Sequence, residues 1–437
     1  MLFLILIVGI AAVWGLPRLK RVAAIGCSYK AKALASAIFV SELDTDPERA
    51  PEIAGEAYRL MRLFRARVDL KNKTVTVSFL GLQPRTAAYR PGLGATLTDA
   101  PLPPAPSQQE AARAVELPVC ESPKLRPLLD AALAEPNPKR MRRTRAVIVV
   151  QNGEIVGERY APGITAATPL NGWSMTKSVL SALIGTLVGE GKLALTDKRL
   201  LPQWSEPGDP RGEITLEDLL RMRSGLRFSE VYSNPLSDVT RMLFDGHDAA
   251  GFAASRPLEA PPGTHWKYSS GTSNIISFIA RRAVGENNYL LWPRRALFDP
   301  LGMTSAVFEP DAAGTFIGSS FLFATARDWA RFGLLHLNGG RGLLPEGWVR
   351  FALTPTPQAP DGKYGVHWWL KLSPELGGRT PAAARIPADA FHALGHEGQC
   401  LTVVPSRRLV VLRLGLSIDI KAWDHAAFLS ELLDTLP

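Results

Sequence analysis

The sequence predicts a mixed α/β (α+β) protein in which one antiparallel sheet, made from both ends of a main domain, is flanked by helices. Three observations carry this. Val147 to Val150 and Ile155 to Tyr160 flank Asn152-Gly153, the pair that best tolerates the positive φ angles of a tight primed hairpin turn. Near the other end, Cys400 to Val404 and Leu409 to Leu412 read as two strands joined at Pro405-Ser406. Between these two groups, Thr215 to Gly340 is mostly helical pattern interrupted by Gly/Pro loops.

Taken in chain order, residues 1–16 run MLFLILIVGIAAVWGL without a charge, ahead of Pro17 and the basic Arg18, Lys20 and Arg21. That length lies between a signal-peptide core and the roughly 20 residues of a spanning helix. The expectation is a hydrophobic anchor or signal segment that attaches the protein to a membrane, with the main domain on the periplasmic or extracytoplasmic side. The basic residues that follow favour a cytoplasmic body by the positive-inside rule, so orientation and cleavage stay open. Ala24-Ile25-Gly26-Cys27 superficially resembles a lipoprotein box, but charged residues separate it from the apolar run. Residues 17–118 read as an N-terminal extension with one strand-like alternation, Thr74 to Phe79, closed by the Pro/Ala-rich linker Pro101 to Pro106. The main domain is 119–437. It opens with helical spacing over Ser122 to Glu135, then the hairpin, then a helix from about Ser174 to Val188 that Gly191 can end, and it closes on an amphipathic helix from Lys421 to Leu436.

Composition supports an enzyme-sized globule: 46% hydrophobic and 21% charged residues over 437 positions argue against disorder over most of the length. The net charge of +9 is densest in Lys139, Arg140, Arg142, Arg143 and Arg145, where no interleaved aromatics offer a base-stacking surface. A solvated linker explains that run, with contact to an anionic surface such as lipid headgroups as the alternative, and no nucleic-acid partner is expected. Cys27, Cys120 and Cys400 form no CxxC pair, which excludes the common zinc-ribbon and thioredoxin spacings, and an odd number leaves at least one thiol free.

Chemistry is legible in three places. Ser174-Met175-Thr176-Lys177 opens a helix, where unpaired N–H groups and the positive end of the dipole favour a developing oxyanion. Positions i and i+3 share a helical face, so the Lys177 amine can reach the Ser174 hydroxyl, and burial would lower its pKa into the range of a base. Alone, the tetrapeptide reads more simply as a helix cap followed by a surface charge. Tyr268-Ser269-Ser270 offers a phenol that can pass a proton to or from the serine and the leaving group, although a single half-buried tyrosine is commonplace. Gly395-His396-Glu397-Gly398-Gln399 leads into a strand, where glycine lets a substrate lie close and the Gln399 amide can pair with that of Ser174 as an oxyanion hole. No HExxH spacing and no G-x-S-x-G elbow occur, so neither a metal site nor an α/β-hydrolase triad is expected.

Ser174-x-x-Lys177, Tyr268-x-Ser270 and His396-x-Gly398, in this order, resemble the three active-site motifs of the class C β-lactamase, DD-peptidase and esterase superfamily. Gly172 to Ser178, Leu195 to Lys198, Ile214 to Leu220 and Ser224-Gly225-Leu226 extend the resemblance over about residues 120–437, and the run from Trp173 through Tyr232 to Gln399 looks most like the 6-aminohexanoate-dimer hydrolase branch. The resemblance implies a β-lactamase/transpeptidase-like fold with a helical subdomain, Ser174 as nucleophile, Lys177 and Tyr268 as proton carriers, the Ser174 and Gln399 amides as oxyanion donors, and no cofactor. It also places Tyr232, Ser270, His396 and Gly398 along the substrate.

Two departures narrow the substrate. Ser270 stands where the family has Asn, and His396, a weaker and pH-dependent cation, stands where it has Lys to bind a carboxylate. Both favour a small-molecule ester or amide, cleaved through an acyl-enzyme, over a cell-wall peptide or a β-lactam. A catalytically silent binding or sensor protein of the same fold is the remaining alternative, and it has no chemical need for Ser174, Lys177 and Tyr268 together.

Overall fold

The computed structural model describes residues 2–44, 59–106 and 116–436; parts of the expected N-terminal extension, 45–58 and 107–115, lie outside them. The first helix, α1 (Leu2–Phe39), runs through Pro17 and so crosses the boundary expected at residue 16. A four-stranded antiparallel meander follows: β1 (Phe64–Asp69), β2 (Thr74–Phe79), β3 (Leu82–Arg90) and β4 (Gly94–Thr98). One face of the helix packs on it, Cys27, Ala31, Leu34, Ala35 and Ile38 meeting Phe64, Val75, Val77, Ala87 and Ala95. Cys27 is buried there, away from any role as an exposed acylation site, and all three cysteines are free thiols.

The main domain begins with α2 (Arg126–Leu133) and the expected hairpin, β5 (Thr144–Gln151) with β6 (Glu154–Tyr160). Asn152 and Gly153 take φ of 53° and 87°, the left-handed pair that a primed turn requires. A small sheet gathers β7 (Leu170–Asn171), β8 (Val307–Phe308) and β9 (Leu322–Ala324). The helices that matter for the site are α3 (Met175–Gly189), α4 (Leu216–Leu220), α5 (Asp238–Phe244), α6 (Ala249–Ala254), α7 (Ser270–Val284) and α8 (Ala326–Leu337). The chain ends with β10 (Phe391–Gly395), β11 (Gln399–Val404), β12 (Leu409–Gly415) and α9 (His425–Thr435).

The main sheet is antiparallel in the order β10-β11-β12-β5-β6, so strands from both ends of the domain lie side by side, as the sequence predicts. Its two faces follow from strand alternation. Ile148, Val150, Val410 and Leu412 share a core with α3 and α8, whereas Val147, Val149, Leu409 and Val411 share another with α2 and α9. Every residue of β5 is buried, as a central strand covered on both faces must be.

The extension is fastened to this domain. Lys32 of α1 forms a buried ion pair with Glu309, whose carboxylate also accepts from Ser36 Oγ (2.9 Å) and the Ala95 amide (2.7 Å). Ser41 Oγ donates to the Pro169 carbonyl (2.6 Å), Arg21 pairs with Asp245 (3.1 Å), and Tyr29 meets Phe244 edge to face.

Candidate active site

Ser174 stands at the head of α3, immediately after Trp173, whose φ of 47° is a left-handed conformation uncommon for a bulky residue. Two glycines permit the turn. A side chain on Gly172 would strike the Trp329 ring, and one on Gly395 would strike the Gly172 carbonyl, so the end of β10 and the entrance to α3 touch backbone to backbone. The first turn of α3 is held from behind as well: Ser178 Oγ donates to the His367 carbonyl (2.6 Å), and His367 Nδ1 lies 2.8 Å from the Lys177 carbonyl.

Lys177 is fully enclosed, and burial pushes its amine down to about 8. Its Nζ donates to Ser174 Oγ (2.9 Å), Ser270 Oγ (3.0 Å) and the Ser319 carbonyl (3.0 Å). A carbonyl can only accept. Ser270, in turn, gives its hydroxyl proton to Glu230 (2.5 Å) while its amide donates to the other oxygen of the same carboxylate (2.8 Å). Two of the three positions around Nζ must therefore carry protons, and when Lys177 is neutral its lone pair is left facing Ser174. That is the geometry of a general base for the serine.

Glu230 was not singled out by the sequence. It lies two residues before Tyr232 in a stretch without periodicity, and its carboxyl is buried, which raises its pKa against the opposing pull of Lys177. The one available signal was Ser270 itself: a serine shorter than the family's asparagine leaves room for another polar group beside the lysine.

Tyr268 stacks beneath the same amine, 4.9 Å from ring centroid to Lys177 Nζ, with its hydroxyl within reach of Ser174. Burial, then the neighbouring Tyr364 and Glu230, hold its pKa well above the usual phenol value, so the phenol keeps its proton at neutral pH. Trp369 (5.4 Å) and Tyr364 (5.9 Å) pack on Tyr268 and, with Trp266, build an aromatic wall that the sequence did not reveal.

Across from that wall, His396 stacks on Tyr232 at 4.4 Å and meets Trp173 edge-on at 5.1 Å. The Tyr232 hydroxyl is buried toward Ser174, Ser270 and Ser320 without closing a hydrogen bond to any of them. Burial pushes His396 down to about 4, so the ring is neutral where the sequence suggested a pH-dependent cation. Gln399 opens β11 opposite Gly395, and its side-chain amide is engaged with the carbonyls of Gly415 (2.5 Å) and His396 (3.1 Å). Gly398, at φ 81°, has no room for a side chain, which would strike Arg413 beside Ser417. No cluster of three or more metal-ligating side chains occurs among the described residues.

Such a sheet, with a serine heading a buried helix one turn before an enclosed lysine, defines a serine-hydrolase-like fold of the β-lactamase/transpeptidase type. The chain belongs to the Beta-lactamase family, whose model matches residues 129–415. It is 25% identical over 253 residues to a 6-aminohexanoate-dimer hydrolase of Paenarthrobacter ureafaciens, a match that covers 52% of this chain and 64% of that relative. Among solved structures, a candidate 6-aminohexanoate-dimer hydrolase from Bacillus anthracis superposes with a TM-score of 0.58 at 23% identity, covering 74% of this chain and 89% of the other. An octameric penicillin-binding protein homologue from Pyrococcus abyssi gives 0.53 at 18%, over 72% and 78%. At these identities the structures speak for the fold alone.

Proposed function

We propose that the protein is a serine hydrolase that cleaves a small ester or amide through an acyl-enzyme on Ser174. The observation that carries this reading is the proton arrangement at Lys177, which leaves its lone pair directed at the Ser174 hydroxyl 2.9 Å away. In the proposed cycle Lys177 takes the Ser174 proton as Oγ attacks the carbonyl carbon. The amide of Ser174 holds the oxyanion together with that of Gln399, at the end of a turn that Gly395 brings against the helix entrance. Tyr268, as a neutral phenol, gives its proton to the departing amine or alkoxide and recovers one from the Lys177 ammonium. Water then releases the acid by the same route in reverse.

The aromatic walls and the neutral His396 favour a substrate that presents no carboxylate at that position, which speaks against peptidoglycan and penicillin substrates. An amide of a short amino acid, as in the name of the Paenarthrobacter relative, fits this chemistry. The apolar residues 1–16 support attachment to a membrane; among the described residues the helical stretch long and apolar enough to span one, Leu16–Phe39, has 78% of its apolar window buried in the protein. Incubation with a fluorophosphonate followed by intact-protein mass measurement tests the nucleophile. A single adduct on the natural protein that is absent from Ser174→Ala supports the reading, and no adduct on folded natural protein would favour the silent binding protein.

A further inference from the structure

The reaction proposed above makes no use of the N-terminal sheet or of the exposed leucines it carries. β3 runs beside α1 in the same direction: near its start, the Phe79–Leu82 turn lies by Cys27, while near its end Tyr89 meets the Phe39 ring at 5.7 Å. Phe64, paired with Phe79, lies against Gly26. The β2–β3 turn therefore points toward the N-terminal, apolar end of α1. From Gly26 back to Pro17 is about 14 Å of helix, and the two residues beyond Phe79 recover about 7 Å of it. The turn thus ends about one headgroup layer from the point where the apolar run begins.

The side chains at this end are unlike those of an ordinary soluble surface. Leu80 and Leu82 at the turn are 66% exposed, Leu60 and Leu63 beside it 72% and 47%, and Leu16 and Leu19 on the helix 52% and 62%. At the same level Arg18, Arg21 and Arg241 line, with Pro17 and Leu236, a cleft of about 290 Å³. The opposite end of the sheet, where the β1–β2 turn lies beside Tyr89, carries a single exposed leucine, Leu70. Scattered exposed apolar residues need no explanation, but leucine tips and an arginine-lined cleft at the root of one apolar helix match the interface of an anionic bilayer.

We propose that this end of the molecule docks on a membrane of anionic phospholipid: residues 1–16 enter the hydrocarbon, Leu80 and Leu82 enter the interface beside them, and Arg18, Lys20 and Arg21 meet lipid phosphates. The β2–β3 turn is then a second foothold that stops the domain from swivelling about α1. It also sets the segment 231–237, which carries Tyr232 and reaches the arginine cleft through Leu236, toward the lipid surface.

The test uses the full chain in proteoliposomes, with Leu80→Cys, Leu82→Cys or Leu70→Cys introduced into a Cys120→Ser background and labelled with an environment-sensitive fluorophore. Cys27 and Cys400 are buried and stay unlabelled. Spin-labelled lipid is expected to quench positions 80 and 82 at least about twofold more than position 70, and more strongly when phosphatidylglycerol is added to phosphatidylcholine. Replacing Arg18 and Lys20 by Gln is expected to remove the phosphatidylglycerol increment. Equal quenching at all three positions overturns the proposal. So does a fluorescence change in detergent that grows with protein concentration, which would assign the leucines to a second copy of the chain. Neither readout depends on Ser174 being the nucleophile.

Discussion

Glu230 grips Ser270 with both oxygens, one on the amide at 2.8 Å and one on the hydroxyl at 2.5 Å. By taking the hydroxyl proton, the carboxylate obliges Ser270 to accept from Lys177, and this fixes which way the lysine lone pair faces. Glu230→Gln would let the new amide donate to Ser270 Oγ, freeing that hydroxyl to compete with Ser174 for the lysine. We expect kcat to fall about 10- to 100-fold with little change in KM. Because the Glu230 charge raises the Lys177 pKa, its removal should also move the acid limb of the pH–rate profile to lower pH. A merely structural carboxylate would leave that limb in place.

Tyr268 is the second group with an assignable proton. Its phenol is held well above its usual pKa, so it can donate near neutrality but cannot serve as a standing phenolate base. Tyr268→Phe should lower kcat about 10²- to 10⁴-fold, with substrates bearing poor leaving groups losing most, because they depend most on protonation at departure. An aryl ester series compared with the corresponding anilides measures this. Equal losses across both series would remove Tyr268 from leaving-group protonation.

How much of this was readable beforehand divides along physical lines. The hairpin at Asn152-Gly153, the helix behind Ser174 and the strands around Pro405 each rest on local signals, namely turn chemistry and periodicity, and the structure has all three. The serine–lysine contact was accessible because i and i+3 on a helix meet whatever else the chain does. Glu230, the Ser319 carbonyl and the wall of Tyr364 and Trp369 come from segments distant in sequence, and nothing local marks them. The charge state of His396 was misjudged for a related reason: residue type gives the ordinary pKa, but the stacking of Tyr232 and Trp173 that strips its solvent is a tertiary fact.

That environment makes a sharp statement about pH. A catalytic imidazole with its ordinary pKa would put an inflection near 6.5. Burial moves His396 to about 4 and Lys177 to about 8. In the proposed mechanism Lys177 acts as the neutral amine, so kcat/KM should rise with pH through about 8 and then level, without a step in the region of an ordinary histidine. An inflection near 6.5 that disappears in His396→Gln would show that the histidine titrates in function and would refute its assignment as a neutral aromatic wall.

The last prediction concerns the joint between the N-terminal region and the β-lactamase-like domain. Lys32 and Glu309 are both out of contact with solvent, and Glu309 has further partners in Ser36 and the Ala95 amide. Desolvation raises the Glu309 pKa and Lys32 opposes that rise, so Lys32→Met leaves a carboxylate whose charge nothing nearby neutralises. The cost of breaking a buried pair from one side is about 3–5 kcal/mol, and it should appear as a lower Tm in calorimetry. The pH dependence gives the mechanism away. With its folded-state pKa raised further, Glu309 binds a proton in the native protein at a pH where the unfolded chain does not, so the variant should regain stability as pH falls from neutrality toward the ordinary carboxylate range. Lys32→Met combined with Glu309→Gln removes the stranded charge and should be more stable than the single variant at neutral pH. A single variant as stable as the natural protein, or one whose deficit is independent of pH, would mean that α1 is held to the domain by its apolar contacts with no contribution from this ion pair.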